Sequence, residues 1–253
     1  MLIDTHAHIN DRRLLPLAED IASSMQADNI SHIINVGYDA ESSEECVRLA
    51  DKYQGMFAAV GIHPHDAKEA TQKDYDRFGE LCANPKVVAY GEIGLDYYYD
   101  LSDRDTQKRV FVEQLEVAYS LKKPVIIHLR DAYADMHRLI KENKDKLGYG
   151  FVLHCYSGSA EMAVEFARLG AYFSFGGAVT FKNANKEPIV RSIPDDRLML
   201  ETDCPYMTPV PYRGKDNLPK YINLVADKIQ EWFPTKDIAA LTSQNARRFF
   251  GLK

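Results

Sequence analysis

The chain has 253 residues, of which 45% are hydrophobic and 27% charged, with a formal net charge of −6. This is the composition of an ordinary globular protein, and it excludes a disordered chain or a disulfide-dense miniprotein; a chain this long buries a sizeable core without staples. The acidic balance argues against a protein that coats nucleic acid non-specifically, because phosphate affinity needs a basic surface, but it leaves room for a nucleic-acid enzyme with a local basic rim.

Short, nearly continuous apolar runs recur at about 2–8, 32–38, 56–62, 87–95, 124–129, 150–155, 171–177 and 198–203. A helical pattern fills the intervals. Leu14, Leu17, Ile21 and Met25 repeat at helical spacing, with Pro16 near the start. The segment from Asp103 to Leu121 puts Phe111, Leu115 and Ala118 on one stripe, and Pro124 then opens the next strand. Glu161 to Leu169 is a shorter helix ended by Gly170. Residues 235–250 read as an extra helix.

Eight strands, each followed by a crossover, predict an α/β fold of the (β/α)8 TIM-barrel type with an extra C-terminal helix. The rival is an open doubly wound sheet, which usually carries a glycine-rich phosphate loop after its first strand. Here that strand ends in His6-Ala7-His8, with no glycine before Gly37. No linker, repeat or low-complexity segment interrupts the pattern, so residues 1–253 read as one domain. Cys46, Cys82, Cys155 and Cys204 form no C-x-x-C pair, which disfavours a zinc-thiolate site. The N-terminal residues show no basic n-region, and no run of eighteen apolar residues occurs. The expectation is a cytoplasmic protein with reduced thiols and no membrane partner.

The informative residues are polar ones at strand ends. His6 and His8 lie two apart on the first strand and so share a face. Glu92 lies on the fourth strand, His128 on the fifth, His154 on the sixth and Asp203 on the eighth. In a barrel these ends converge on one mouth, where active sites sit. Imidazole nitrogens and carboxylate oxygens are first-row metal ligands. Four histidines and two carboxylates are too many for one tetrahedral ion and suit two ions bridged by a carboxylate, with Glu92 as the candidate bridge. Scattered core polar residues are the alternative, but six buried at strand ends would be costly unless paired or metal-bound.

At this point the chain resembles the TatD family of metal-dependent deoxyribonucleases, within the amidohydrolase-like superfamily. The resemblance rests on Leu2-Ile3-Asp4-Thr5-His6-Ala7-His8-Ile9-Asn10, Val60-Gly61-Ile62-His63-Pro64-His65 and Gly91-Glu92-Ile93-Gly94-Leu95-Asp96-Tyr97. It continues through Pro124-Val125-Ile126-Ile127-His128-Leu129-Arg130, His154-Cys155-Tyr156-Ser157-Gly158 and Glu201-Thr202-Asp203-Cys204-Pro205-Tyr206. It implies that His6 and His8 hold one ion with Glu92 and Asp203, and that Glu92, His128 and His154 hold the other. It also implies magnesium or manganese as the working ion, although affinity at an imidazole-rich site favours zinc. The implied substrate is DNA, attacked as single strands from 3′ ends.

Asp203 is the candidate general base, alongside its role as a ligand, because a carboxylate in reach of a metal-bound water takes its proton. Glu201, two residues earlier on the same face, is expected to fix a histidine tautomer, or else to form a buried ion pair. His63 is expected to touch substrate or orient a ligand, and His65 to lie on the loop surface. Arg130 sits above the rim as a phosphate clamp, unless Asp131 or Asp135 pairs with it. Tyr97 and its neighbours Tyr98 and Tyr99 are candidates for stacking on bases. Arg213 and Lys215, with Lys182 and Lys186, are candidates for a basic rim. Asp216 departs from the more basic loop of the resembled family.

The leading expectation is thus a DNA phosphodiesterase acting as a 3′-5′ exonuclease with two divalent ions, monomer favoured. The alternative keeps the metals and hydrolyses an ester, amide, lactone or aminoacyl ester, since fold does not fix function. A binding module with a vestigial metal site is disfavoured, because every ligand position carries a competent residue.

Overall fold

A computed structural model describes all 253 residues. Eight parallel strands are hydrogen-bonded in sequential order: β1 (Leu2–Ala7), β2 (Ile30–Val36), β3 (Met56–Val60), β4 (Val87–Asp96), β5 (Val125–Arg130), β6 (Phe151–Leu153), β7 (Tyr172–Phe175) and β8 (Leu198–Leu200). The ring closes just past the last strand, where Asp203 N–H donates to His6 O (2.9 Å) and His8 N–H to Cys204 O (2.8 Å). Nine helices alternate with the strands: α1 (Ala18–Ser24), α2 (Ala40–Lys52), α3 (Gln72–Leu81), α4 (Arg104–Ser120), α5 (Tyr133–Glu142), α6 (Ala160–Arg168), α7 (Glu187–Ser192), α8 (Ile222–Trp232) and α9 (Ile238–Phe250). This is the predicted (β/α)8 barrel, with α9 as the extra C-terminal helix. No helix is long and apolar enough to cross a membrane.

Local signals set the helix starts. Asp103 caps α4 through Thr106 N–H (2.9 Å), Ser159 caps α6 through Met162 N–H (3.2 Å), and Asp237 caps α9 through Ala240 N–H (2.9 Å). β6 and β8 are shorter than their apolar runs. Cys155 (φ 43°) and Asp203 (φ 57°) adopt left-handed backbone, which bends the chain away from the ladder at the mouth.

The barrel interior is one cluster fed by every strand: Ile3, Ile34, Ala59, Ala89, Ile126, Val152, Tyr172 and Met199. Phe249 and Phe250 of α9 plug its lower end. These residues set the inward parity. Counting by twos from Ala59, Ile126, Val152 and Met199 brings His63, His128, His154 and Asp203 inward. β1 and β4 do not keep count. Three residues of β1 (Asp4 to Ala7) advance against two of β2, and Tyr90 to Ile93 of β4 does the same against β5. Each irregularity flips the parity, so Ile3 and His6 both face in, as do Ala89 and Glu92. Such irregularities re-aim side chains at barrel rims.

Candidate metal centre

The six sequence-predicted ligands meet at the C-terminal mouth. His6, Glu92, His8 and His154 are each less than a tenth exposed. Glu92 stands between two groups. Its Oε2 lies 3.3 Å from His6 Nε2 and 3.9 Å from His8 Nε2. Its Oε1 lies 2.7 Å from His128 Nδ1 and 2.6 Å from His154 Nε2. Asp203 Oδ1 closes the first group at 3.5 Å from His8 Nε2 and 4.0 Å from His6 Nε2.

Two of the four rings, His8 and His128, have a hydrogen-bond partner behind them, whereas His6 Nδ1 and His154 Nδ1 have none. His8 Nδ1 lies 2.8 Å from Val36 O, a carbonyl that only accepts, so the lone pair is on Nε2 and faces the site. His128 Nε2 lies 2.9 Å from Asp96 Oδ2 and its Nδ1 2.7 Å from Glu92 Oε1, so each ring nitrogen faces a carboxylate oxygen, and a proton held on Nε2 would free Nδ1 for an ion. His6 Nε2 and His8 Nε2 are 3.1 Å apart. That is about the separation of two imidazoles on one ion with metal–nitrogen bonds near 2.0–2.1 Å. Burial alone would raise the Glu92 carboxyl, but His154, His6 and His63 hold it well below its ordinary range. Asp203 is likewise lowered against its burial, chiefly by His8. Ionised carboxylates and open imidazole lone pairs are the donor chemistry a divalent ion needs.

Glu201 is fully buried, accepts from Cys155 N–H (2.7 Å) and lies 3.6 Å from His154 Nδ1. His63 Nε2 is 3.6 Å from Glu92 Oε1, and its ring is 4.4 Å from that of His128. His65 is not loop surface. The 3-10 turn Pro64–Glu69 folds it back, and its Nε2 lies 3.1 Å from Asp96 Oδ2.

Sequence reasoning did not single out Asp96, which joins this network to the rim. Its Oδ2 serves His128 and His65, while its Oδ1 accepts from the N–H groups of Tyr98 (3.0 Å) and Tyr99 (2.8 Å). The signal was present: Asp96 is two steps of two beyond Glu92 on the same face. Gly94 lies between them because a Cβ there would meet His128 O at 2.0 Å.

At the rim, Arg130 pairs with neither Asp131 nor Asp135. Its guanidinium carbon lies 3.9 Å from the Tyr98 ring centroid and 4.8 Å from that of Tyr99. Tyr98 and Tyr99 are exposed, whereas Tyr97 donates its O–H to Asp135 (2.7 Å) beneath Arg104. Arg213 lies 4.0 Å over Phe181 and donates to Thr208 O (3.1 Å), and Lys186 donates to Tyr156 O (3.1 Å). The Lys215 ammonium lies 5.8 Å from the Tyr212 ring centroid. Asp216 faces Arg13 at 3.4 Å.

Fold and donor set together define a metal-dependent hydrolase on a (β/α)8 barrel. A family model described as TatD related DNase matches residues 3–251, and the chain belongs to the TatD family. It is 43% identical over 253 residues to the protein named uncharacterized metal-dependent hydrolase YabD of Bacillus subtilis, covering 99% of both chains. It is 32% identical over 240 residues to the 3′-5′ ssDNA/RNA exonuclease TatD of Cronobacter sakazakii, covering 92% of this chain and 91% of that one. The crystal structure of YJJV, a TatD homolog from Escherichia coli, superposes with a TM-score of 0.93 at 29% identity, over 100% of this chain and 98% of that one.

Proposed function

We propose that the protein hydrolyses DNA phosphodiester bonds with two divalent ions, working as a 3′-5′ exonuclease on single strands. The observation that carries this reading is the division of Glu92, with one oxygen toward His6 and His8 and the other toward His128 and His154. His6, His8, Asp203 and Glu92 would hold one ion; Glu92, His128 and His154 would hold the other. Magnesium or manganese bound there would lower the pKa of water and polarise a phosphoryl oxygen.

The remaining work falls to the chain. Asp203 takes the proton of the attacking water at a carboxylate oxygen. Glu201 steadies His154 from behind. Arg130, unpaired and resting on Tyr98, offers its guanidinium to the phosphate. Exposed Tyr98 and Tyr99 offer flat surfaces to unpaired bases. Arg213 and Lys215 lie on the loop beyond the mouth, where the strand would leave. The similarity to the Cronobacter sakazakii protein named 3′-5′ ssDNA/RNA exonuclease supports the same reading. A cytoplasmic, single-domain monomer is part of it.

A substrate panel tests the reading. Metal-loaded protein is assayed on single-stranded DNA, single-stranded RNA, and aryl ester, lactone and amide substrates. Metal-dependent shortening of DNA with little turnover of the carbon esters and amides is expected. Faster turnover of esters or amides than of any phosphodiester would move the function to the other hydrolase class.

A further inference from the structure

Beside the metal cluster lies a cavity of about 570 Å³, walled by Asn10, Asp11, Arg13, Tyr38 and Tyr206 among others. Two of its walls reach the cluster. The rings of Tyr38 and Tyr206 each have their centroid 6.0 Å from that of His8. A substrate phosphate at an ion held by His8 would have its neighbouring group near these two rings.

Tyr206 is 47% exposed, yet it is fixed in place. The Arg13 guanidinium carbon lies 4.6 Å from its ring centroid. Its O–H donates to Asp11 Oδ2 (3.2 Å), and Arg13 grips the same carboxylate through Nε (2.9 Å) and Nη2 (3.0 Å). A pre-oriented, exposed aromatic ring next to a phosphate site stacks on a base of any identity. The cavity is not a second phosphate site. Two of its three arginines, Arg13 and Arg48, are paired with Asp11 and Glu45, and Asp39 and Glu41 line it as well, so an uncharged ring suits it better than an anion.

Asn10 adds a second observation. It is only 8% exposed, and neither its amide nitrogen nor its amide oxygen has a hydrogen-bond partner. Buried amides are nearly always paired, so an orphan asks for an explanation. A donor and an acceptor side by side match the edge of a base. Both atoms are covered in the empty cavity, so the pairing requires the side chain to turn.

We propose that this cavity is the nucleobase subsite for a nucleotide adjoining the scissile phosphate. Tyr206 is its stacking surface, Arg13 positions Tyr206, and Asn10 meets the base edge. The proposal rests on the nucleic-acid reading above and names a part of the substrate that reading leaves unplaced.

The test is a cycle between protein and substrate. The kcat/KM of wild type, Tyr206→Ala and Tyr206→Phe is measured on a single-stranded oligonucleotide. It is measured again on two copies carrying an abasic residue at the terminal or the penultimate position. Tyr206→Ala should lose about 5- to 150-fold on the intact strand, the range a stacked base contributes. One abasic strand should cost the wild type as much, and on that strand Tyr206→Ala should add nothing further. Tyr206→Phe should keep most of the activity, and bound metal should be equal in all three proteins. Losses that multiply on both abasic strands, or metal lost from Tyr206→Ala, would overturn the subsite and leave Tyr206 a support for His8. A wild-type protein that cleaves carbon esters but no oligonucleotide would overturn the nucleic-acid reading and the subsite with it.

Discussion

The backbone N–H of His65 donates to Nδ1 of His63 at 3.1 Å. A ring nitrogen that accepts carries no proton, so the proton of His63 sits on Nε2, the atom facing Glu92. By distance alone His63, Glu92 and His128 could hold an ion. The tautomer argues otherwise: His63 presents a donor to the centre, whereas His8 presents a lone pair.

His63→Ala is therefore expected to leave bound metal unchanged while lowering kcat by about 10²–10³-fold, the usual cost of one oriented donor to a developing oxyanion. His63→Gln, which keeps an amide donor, should recover part of the loss. Metal content by elemental analysis and single-turnover rates check both. Loss of one metal equivalent from His63→Ala would make it a ligand.

Asp96 orients His128 from behind and anchors the Tyr98–Tyr99 loop with its other oxygen. Supporting carboxylates of this kind are worth about 10–100-fold in metal affinity or activity. Asp96→Ala should weaken metal binding by that factor, measured by competition with a chelating dye, and should also increase hydrogen exchange in residues 97–100. A variant with native affinity and an unchanged loop would contradict the assignment.

Arg130 stacks on Tyr98 with no carboxylate partner. Arg130→Ala should raise KM for oligonucleotide and flatten its dependence on salt, since one phosphate contact is lost. Arg130→Lys should recover charge but not the stacked, planar contact. The salt series of kcat/KM distinguishes the two.

Asp4 lies fully buried beneath the centre, and burial pushes its carboxyl up to about 7. Its ordinary value is 3.8, so between these values the folded chain holds a proton that the unfolded chain has released. Stability from this group is accordingly lost as pH rises from about 4 to 7 and is level above that. Asp4→Asn removes the titration. The wild-type-minus-variant difference in urea unfolding free energy should fall from pH 5 to pH 7 and then flatten; a difference that does not change with pH would contradict it.

Period-two alternation made much of the centre legible. His128, His154 and Asp203 follow Ile126, Val152 and Met199 by even steps, and apolar runs marked those strands. The barrel itself followed from eight such runs and the helical stripes between them. His6 and Glu92 reach the same mouth through irregular pairing against β2 and β5, which no local residue pattern announces; the H-x-H spacing and the carboxylate itself drew attention to them. His65 looked like surface because it lies further out than His63, beyond the end of its strand, and only the 3-10 turn that contains it brings it to Asp96. Which of three adjacent tyrosines faces out is also decided non-locally. Asp96 takes the Tyr98 and Tyr99 amides, and Asp135 takes the Tyr97 hydroxyl. Asp96 follows Glu92 by two steps of two on the same face, but only the contact with His128 gives that residue a purpose.

The most direct test is a time course on a 5′-labelled single-stranded DNA oligonucleotide with magnesium or manganese, run beside Asp203→Ala as the control for contaminating nuclease. A ladder shortening from the 3′ end is predicted, abolished by chelation, with Asp203→Ala at less than about a tenth of wild-type turnover, because positioned proton transfer contributes about 10²–10⁴-fold. An intact oligonucleotide with either ion, or a ladder unchanged in Asp203→Ala, would contradict it.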